Sequence, residues 1–482
     1  MSASLLSFLS PSKIEETIPD GVLPSSVTSG SVVQMRNRSR YIPTSGATYA
    51  VPTGSNIIQW KVTGNDYLDL PTAVMHFKIA ITPNAAAAGT NAYMIQEGIF
   101  SVINRCRVAL NSVIVSDTDN VHTAAHAKVL NTMPRQVYES ADAQYMGLYK
   151  KTRTLLSPSA ISANTTPYPT FAQVATALSG YYSTPGVGGA VTDAADSSFA
   201  FPLSLICPFF AMKTFLPLRN CGNLELTLFL ETPANCFRTN DGTSSFSASA
   251  AYTLSDVSLE VDSVQLAAPV VQMIDRLTAD VSETGGVVLP VSVEVVQNIN
   301  YSGSGQKSVS ISRGTTALTA LTILKRLQAS IGQSSEQWLS TFRCFAQTRS
   351  QIRLGSRLYP TTATDSLARA FTETRHAYGL LNNMLSGGLV DRRYYESSLA
   401  AAAADIADQA AFTYAYNFRR VRSEDLALDG ENSIQSGSII QYDFTDAPVD
   451  TSGSAGNAVL TAVIESLRYV ELKGSSVNVT GM

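Results

Sequence analysis

Hydrophobic and polar residues alternate along much of the chain, beginning near residue 57. This period of two is typical of β-strands that bury one face and turn the other toward solvent or a second layer. The clearest example is residues 224–230, where leucine occupies every second position. In residues 257–266 the alternation slips at Ser263, which predicts a β-bulge. Further strands are predicted within residues 75–81, 106–110, 291–295, 309–311, 412–418, 440–444 and 459–472.

Helical periodicity is confined to segments between the predicted strands. Four segments have it, namely residues 121–133, 136–149, 365–385 and 398–411. Pro134 separates the first two helices, and Asp365 is the predicted N-cap of the third. The fourth is rich in alanine and is expected on an exposed loop. Residues 158–198 consist largely of Ser, Thr, Ala, Gly and Pro, which predicts a long loop.

The polar stretch TNDGTSSFSASAA, residues 239–251, divides the chain nearly in half. Each half contains many short strands, long insertions and a closing pair of strong strands. The sequence therefore predicts the same all-β sandwich twice, and its 482 residues suit two domains. The predicted units are an N-terminal arm at residues 1–50, a first sandwich at 51–240 and a second at 241–482.

The predicted arm lacks sustained alternation and ends in a small basic cluster, Arg36, Arg38 and Arg40. Two interpretations are open: a solvated tail, or an arm that threads beneath neighbouring subunits. The first residues contain a short apolar patch without a preceding basic region, so we predict no signal peptide. No segment approaches the run of about 20 apolar residues that spans a bilayer.

Charged residues make up only 15% of the chain and hydrophobic residues 45%. This charge content is low for a protein that keeps its own surface solvated, so we expect partners to cover much of that surface. The 34 Lys and Arg residues nearly balance the 38 Asp and Glu residues, and the net charge is -4. No general basic field therefore favours nucleic-acid binding, and any such contact is local.

The five cysteines are scattered and include no C-x-x-C pair. We predict buried, reduced thiols rather than a disulfide framework. They are Cys106, Cys207, Cys221, Cys236 and Cys344.

Several segments resemble the first jelly roll of double jelly-roll major capsid proteins. YLDLPTAVMHFKIAIT begins at Tyr67, GIFSVINRCRVALNSVIVSD begins at Gly98, and a predicted helix follows near Val121. The residues that match the family's phenylalanine, strand and asparagine turn are Phe100, Val108, Leu110 and Asn111.

The segment FPLSLICPFFAMKTFLPLRNCGNLELTLFLETPANCF, residues 201–237, is similar to the closing strands of that jelly roll. In it Leu216 and Pro217 lead into an amphipathic strand. Residues 257–269 resemble the opening strand of the second jelly roll. The resemblance covers most of residues 57–479 in layout and is strongest to capsid proteins of polinton-like viruses, adintoviruses and virophages.

The resemblance implies an all-β fold of two tandem eight-stranded jelly rolls with helical and loop insertions. It implies a homotrimer that presents six similar barrels and tiles an icosahedral capsid as a pseudo-hexagonal capsomer of a DNA virus. Implied partners are neighbouring capsomers, penton and minor capsid proteins, and an internal membrane or the genome through the arm. The implied location is the virion, assembled inside the host cell. Outer towers are expected from residues 138–198 and 357–409.

Two patterns approach catalytic motifs without completing them. His122 and His126 lie at i and i+4 in HTAAH, where Thr123 replaces the glutamate of a zinc-protease helix. This spacing favours a pair of surface or packed histidines. In SGSGQKS, residues 302–308, Gln306 interrupts the Gly-Lys pair of a phosphate loop, so we interpret it as a turn between strands. We predict no catalytic, cofactor-binding or metal-binding residues, no cofactor, and no enzymatic activity.

The arginines near the second insertion have two interpretations, ion pairing at the surface or between subunits, and contact with anionic lipid or nucleic acid. They are Arg392, Arg393, Arg419, Arg420 and Arg422. The alternative to a capsid protein is an attachment or carbohydrate-binding β-sandwich protein, with Tyr394 and Tyr395 as a candidate aromatic platform. A glycoside hydrolase built on a β-sandwich is a third hypothesis, although the sequence shows no recognisable pair of catalytic carboxylates.

Overall fold

The computed structural model describes most of the strands and the elements that join them. The described residues are 32–82, 93–95, 98–134, 137, 145–148, 198–239, 251–280, 286–332, 338–380, 388–390, 392–396, 410–419, 430–434, 439–449, 456–474 and 476–480.

In chain order the strands are β1 (Val33–Tyr41), β2 (Tyr49–Val51), β3 (Ile57–Thr63), β4 (Tyr67–Thr82), β5 (Tyr93–Ile95), β6 (Ile103–Leu110), β7 (Val113–Thr118), β8 (Ser198–Pro202), β9 (Leu216–Pro217), β10 (Asn223–Leu230), β11 (Phe237–Thr239), β12 (Ala251–Leu266), β13 (Val287–Ser302), β14 (Gly305–Ile311), β15 (Leu318–Leu327), β16 (Arg349–Leu354), β17 (Arg357–Thr364), β18 (Thr413–Asn417), β19 (Ile440–Asp446), β20 (Asn457–Lys473) and β21 (Ser476–Thr480). The longer helices are α1 (Val121–Thr132), α2 (Ala268–Ala279) and α3 (Leu367–Ala377). Single helical turns occupy Ile99–Val102, Leu203–Leu205, Pro208–Ala211, Leu218–Cys221, Pro233–Cys236, Gln328–Ser330 and Arg392–Tyr395.

The strands form two sandwiches with the same strand order. In the first, one sheet runs β1-β12-β4-β8, with β2 and β9 added, and the other runs β3-β10-β6-β7. In the second, one sheet runs β13-β20-β15-β18, with β21 added, and the other runs β14-β19-β16-β17. When the eight main strands of each sandwich are numbered along the chain, both sandwiches have sheets ordered 1-8-3-6 and 2-7-4-5. The fold is thus an internal repeat in topology.

Alternation along the strands explains which face of each sheet is buried. In β10 the leucines at alternate positions are buried, whereas the residues between them are partly exposed. The two sheets of each sandwich close on such faces. One large apolar cluster fills the first sandwich and continues into β13, β20 and β21 of the second through Leu289, Val291, Val293, Val470, Leu472 and Val477, and another cluster fills the second sandwich. All strand pairs within the sheets are antiparallel, and this favours one face toward the core and one outward.

The predicted domain boundary at residues 239–251 is wrong because it separates two strands of one sheet. Strand β12 pairs with β4 from Ala251↔Thr82 to Val264↔Tyr67, and it also pairs with β1. It is therefore the eighth strand of the first sandwich and not the opening strand of the second. The first unit ends after β12, where α2 leads to β13. Register in β12 is irregular between Glu260 and Asp262, close to the bulge predicted at Ser263.

The predicted N-terminal arm is also shorter than expected. Residues 33–41 and 49–51 are strands of the first sandwich, and residues 1–31 lie outside the described part of the chain. The basic cluster is part of β1. Arg36 forms ion pairs with Asp69 at 2.6 Å and with Asp262 at 2.8 Å, and Arg38 pairs with Asp262 at 3.1 Å.

Both predicted insertions fall between the fifth and sixth strands of their sandwiches. The first, predicted at residues 138–198, lies after α1 in the connection from β7 to β8, and α1 confirms the helix predicted at residues 121–133. The second follows β17 and contains α3, whose N-cap is Ser366 rather than Asp365. The prediction of an outer tower from residue 357 onward is wrong for residues 357–364. These residues form β17, which pairs with β16 at the edge of a sheet. Most of residues 136–149 and all of 158–197 and 398–409 lie outside the described residues.

All five cysteines are buried and free, as the sequence predicts. Within the described residues, no helix is both long and apolar enough to cross a membrane.

The placement of β12 in the first sandwich predicts which strands lose protection from hydrogen exchange when a buried leucine is removed. Leu259 of β12 and Leu321 of β15 are both buried, so substitution of either by alanine should cost about 2–5 kcal/mol of unfolding free energy. We expect Leu259→Ala to speed hydrogen exchange in β1 and β4, and Leu321→Ala to speed it in β18 and β20. Faster exchange in β14 and β19 of the Leu259→Ala chain, with β4 still protected, would contradict this assignment.

Candidate functional site

Helix α1 lies between the two sandwiches and has almost no face toward solvent. It follows β7 through Asn120, which has a left-handed conformation with φ 54° that asparagine tolerates better than most residues. Ten of the twelve residues of α1 are buried. A helix of this kind belongs inside a protein, because surface helices bury one stripe and keep the other polar.

The two sides of α1 contact two different apolar clusters. Val121, Ala125 and Val129 belong to the core of the first sandwich. Ala124, Ala127 and Leu130 form a separate cluster with residues of the second sandwich, namely Leu324, Phe342, Ala411 and Val463. Helix α1 therefore connects the two sandwiches through packed side chains.

Hydrogen bonds also join the sandwiches: Thr118 Oγ1 to Glu294 O (2.6 Å), Arg468 Nη1 to Val115 O (2.7 Å), Arg326 Nη2 to Thr123 Oγ1 (3.2 Å) and Thr413 Oγ1 to Asn131 Oδ1 (3.0 Å). All four bonds are buried. A buried polar group that loses its partner costs about 1–3 kcal/mol of folding free energy. A change in the relative orientation of the sandwiches would break several of these bonds at once, so they favour a single arrangement.

A buried ion cluster lies at the same interface. Lys128 of α1 forms an ion pair with Glu294 of β13, and Glu294 is directly opposite Glu465 of β20 in the strand register. Like charges at opposite positions repel each other across a sheet. Lys128 is the cation that offsets this repulsion, and it is supplied by the other sandwich.

Burial and the neighbouring charges shift the pKa values of two groups in this cluster, Glu294 and Lys128. Burial raises the pKa of Glu294, attraction by Lys128 lowers it, and repulsion by Glu465 raises it, so that the net pKa is about 7. Burial lowers the pKa of Lys128, but attraction by Glu294 and Glu465 outweighs it and the net shift is upward. The lysine is therefore charged at neutral pH, and Glu294 gains or loses its proton there.

His122 belongs to a second buried polar group at this interface. Its Nε2 is 3.4 Å from a carboxylate oxygen of Glu231, and its Nδ1 is 3.2 Å from Thr123 Oγ1. Burial lowers the pKa of His122, and the nearby charge of Arg326 adds to this, although Glu231 raises it. Arg326 stacks over the ring of Trp338 at 5.6 Å. His122 is therefore a packed, mainly neutral imidazole.

The second histidine of the HTAAH pattern has different partners. The Nε2 of His126 is 3.1 Å from Ser101 Oγ, and its ring is 4.8 Å from that of Phe100. Both histidines are packed, which is one of the two arrangements that their spacing predicts. In the part of the chain that the structure describes, no group of three or more His, Cys, Asp and Glu side chains is arranged to bind a metal ion.

The other candidate residues fall outside this interface. The turn predicted in SGSGQKS is confirmed at Gly303, with φ 79°, and Ser304, which join β13 to β14, whereas residues 305–308 of the segment are part of β14. Arg392 is exposed and pairs with Glu396 at 2.9 Å. The side chains of Arg393 and Tyr394, and all of Arg420 and Arg422, lie outside the described residues. Tyr395 is buried against Phe371 and Phe412, so it is not part of an exposed aromatic platform.

The ion cluster at the interface cannot be recognised from the sequence. Glu294 and Glu465 occupy strand positions where an acidic residue usually faces solvent, and Lys128 is the one residue among Lys, Arg, Asp and Glu in helix α1. That lysine is the only local signal, because the three residues come together through tertiary contacts alone.

The raised pKa of Glu294 gives a pH-dependent prediction. A carboxyl group whose pKa is higher in the folded state than in the unfolded state destabilises the fold as pH rises from about 4.5 through about 7. We therefore expect Glu294→Gln to be more stable than the unmodified chain at pH 8, by up to about 3 kcal/mol, with the difference vanishing near pH 4. Thermal unfolding of both chains between pH 4 and pH 8 measures this difference in stability.

Glu225→Gln is the matched control, because Glu225 pairs with Lys61 on a partly exposed strand face. Its effect should be small and nearly independent of pH. A Glu294→Gln chain that is less stable than the unmodified chain at pH 8 would contradict the predicted sign.

Comparison with known proteins shows which solved structures share this fold. The sequence matches no protein-family model and no curated protein. Its structure is similar to that of PBCV-1 VP54, fitted into a cryo-EM reconstruction of the virophage Sputnik, with a TM-score of 0.56 and 9% identity over 92% of this chain and 96% of that chain.

Two further structures have the same architecture. A chain of the Sputnik virophage structure has a TM-score of 0.55 and 10% identity over 97% of this chain and 91% of that chain. The Faustovirus major capsid protein has a TM-score of 0.55 and 10% identity over 96% of this chain and 94% of that chain. The predicted fold class is confirmed: this chain has the double jelly-roll fold that is found in these viral proteins.

Proposed function

We propose that the protein is the major capsid protein of an icosahedral DNA virus and that its function is structural. One observation carries the proposal: the similarity to viral capsid structures extends over 92–97% of the chain, across both sandwiches and their junction. A shared single sandwich would be weak support, because that architecture serves many functions. Two sandwiches joined in the same layout are a more specific feature, since the layout determines the shape of the building block.

The repeated topology suits a homotrimer. Three copies of a chain with two similar barrels present six similar barrels around one axis, which gives a pseudo-hexagonal outline. Such a unit can meet six neighbours and tile a closed shell. The fixed orientation of the sandwiches about α1 matters here, because it sets the angle between the two barrels of each copy.

The composition supports burial of the surface by other subunits. Only 15% of the residues are charged, and permanent assemblies bury about 2,000–5,000 Å² per interface with few charges at the centre. We propose neighbouring capsomers, penton proteins and minor capsid proteins as further partners. Residues 1–31 remain the candidate arm toward an internal membrane, the genome or a neighbouring capsomer. The proposed location is the capsid of the virion.

The attachment or carbohydrate-binding alternative has no comparable support. Its candidate platform required exposed aromatic rings, and Tyr395 is buried.

The proposal predicts a stable trimer of the full chain. Size-exclusion chromatography with light scattering should give three times the chain mass, and negative-stain microscopy should show particles with hexagonal outlines. A chain that stays monomeric at all concentrations and ionic strengths tested, with no assembled particles, would contradict the proposal.

A change at the sandwich junction should weaken assembly. Ala127 of α1 is buried in the cluster between the sandwiches, so Ala127→Leu should overpack it at a cost of about 1–3 kcal/mol and alter the angle between the barrels. We expect a smaller trimer fraction while the strands of both sandwiches keep their hydrogen-exchange protection. Thr132→Leu, at an exposed position of the same helix, is the control and should assemble normally. Normal assembly of both variants would show that this angle does not limit trimer formation.

A further inference from the structure

A lysine lies at the centre of the second sandwich, between its two sheets. Lys325 is on β15 and has no exposed surface. Its Nζ donates hydrogen bonds to Asp446 Oδ2 at 2.7 Å and to Gln347 Oε1 at 2.5 Å. Asp446 ends β19 in the opposite sheet, and Gln347 lies two residues before β16 of that same sheet. The contact therefore spans the interior of the sandwich.

The surroundings of this amine are apolar. The Nζ of Lys325 is 4.1 Å from the ring centroid of Phe444 and within 6 Å of the rings of Phe412 and Tyr442. Burial lowers the pKa of Lys325 to about 8, although Asp446 acts in the opposite direction. Roughly one lysine in ten is then neutral at pH 7, compared with about one in several thousand for an ordinary lysine. A neutral amine is a nucleophile, whereas an ammonium ion is not.

The carboxamide of Gln347 is polarised from its other side. The hydroxyl of Tyr442 donates a hydrogen bond to Gln347 Oε1 at 3.1 Å. Burial raises the pKa of Tyr442 well above its usual value, so the hydroxyl keeps its proton. A donor in this position stabilises negative charge that develops on the carbonyl oxygen during attack on the carbon.

The carboxylate of Asp446 is oriented by two further groups. Lys307 Nζ forms an ion pair with Asp446 Oδ1 at 2.7 Å, and the hydroxyl of Tyr301 donates to Asp446 Oδ2 at 2.9 Å. Asp446 thus lies within hydrogen-bond distance of the amine and is fixed in place, as a general base must be. Cys344 also lies near Lys325 and acts to raise the pKa of that lysine.

We propose that Lys325 and Gln347 react with each other to form an intramolecular isopeptide bond between the sheets of the second sandwich. The Nζ lone pair attacks Cδ of Gln347, and Asp446 accepts a proton from the attacking nitrogen. The tetrahedral oxyanion is held by the Tyr442 hydroxyl. Asp446 then returns the proton to the side-chain nitrogen of Gln347, the carbon–nitrogen bond breaks, and one ammonia leaves. No oxidant or cofactor is required.

The present contact is between Nζ and the carbonyl oxygen, so the carboxamide must turn to offer its carbon. The terminal torsion of a glutamine side chain is broad, so the carboxamide plane can turn without a rotamer change. The turn weakens the bond from Lys325 Nζ to Gln347 Oε1 and has to keep that oxygen within reach of the Tyr442 hydroxyl. The enclosed geometry supplies the remaining advantage, because well-oriented intramolecular groups react as though present at very high concentration.

Asp446 is the less suitable acceptor for the same amine. Both of its carboxylate oxygens are already engaged, Oδ1 by Lys307 and Oδ2 by Lys325 and the Tyr301 hydroxyl. Attack on a carboxylate would require loss of an oxide or hydroxide group, whereas attack on an amide releases ammonia. The geometry therefore assigns Gln347 as the acceptor and Asp446 as the proton carrier.

Intact mass spectrometry of the purified full chain in denaturant tests the proposal directly. We expect a mass below that of the sequence by one ammonia. Tryptic digestion should leave the bond after Lys325 uncut and should yield a branched product in which peptide 344–349 is attached to Lys325. A chain with the unmodified mass, fresh or after prolonged incubation at pH 8, would overturn the proposal. Loss of one water with a link from Lys325 to Asp446 would overturn the choice of acceptor.

Variants separate the roles of the individual groups. Lys325→Met and Gln347→Met should both have the full mass expected from their sequences. Tyr442→Phe removes one hydroxyl and should give a mixture of linked and unlinked chains. Gln297→Glu is the control, because this glutamine is partly exposed on β13, donates to Ser312, and should leave the link complete. A Gln347→Met chain that still loses ammonia would exclude Gln347 as the acceptor, whether or not the other variants fold.

Discussion

The burial of α1 on both sides is the constraint on which the arrangement of this protein depends. A helix whose apolar residues face two directions has no stable position on the surface of a single sandwich. The first sandwich covers Val121, Ala125 and Val129, and the second must cover Ala124, Ala127 and Leu130. The two sandwiches therefore form one body, although each has the strand order of a separate domain. Lys128 adds a requirement of the same kind, because its carboxylate partners belong to the other sandwich.

The repeat of strand order without recognisable sequence repetition has a physical basis. A jelly roll requires strands with one apolar face, turns between them and pairing partners that are far apart in the chain. Many different residues can form a strand with one apolar face. The fold is therefore shared with viral proteins that are only 9–10% identical to this chain. The pattern of burial is thus preserved while the residues that produce it differ. The insertions after the fifth strand of each sandwich carry α1 and α3, so the variable parts of the two repeats occupy equivalent places.

The sequence predicted most of the strands with a strong apolar face, including β4, β6, β10, β19 and β20, and it predicted α1. It did not reveal which strands pair, because pairing in β12 joins residues that are more than 150 positions apart and alternation carries no information about the partner. This is why a correctly predicted strand was given to the wrong sandwich. β1 was missed for another reason. Its sequence, VQMRNRSRY, is mostly exposed, so it has the composition of a tail although its backbone completes a sheet. The interface charges could not be predicted, since Lys128 and Glu294 are brought together only when both sandwiches are complete.

The position of β20 has a consequence for the order in which the chain acquires its structure during synthesis. This strand is central to its sheet, where β13 and β15 flank it, yet it follows every other strand of that sandwich except β21. The first sandwich has all of its main strands once β12 has emerged from the ribosome. For the roughly 200 residues that follow, the first sandwich can be complete while the sheet of β13, β15 and β18 lacks its middle strand. The earlier unit can thus act as a template, and the surface of α1 that awaits the second sandwich is exposed to chaperones and to other nascent chains during that interval.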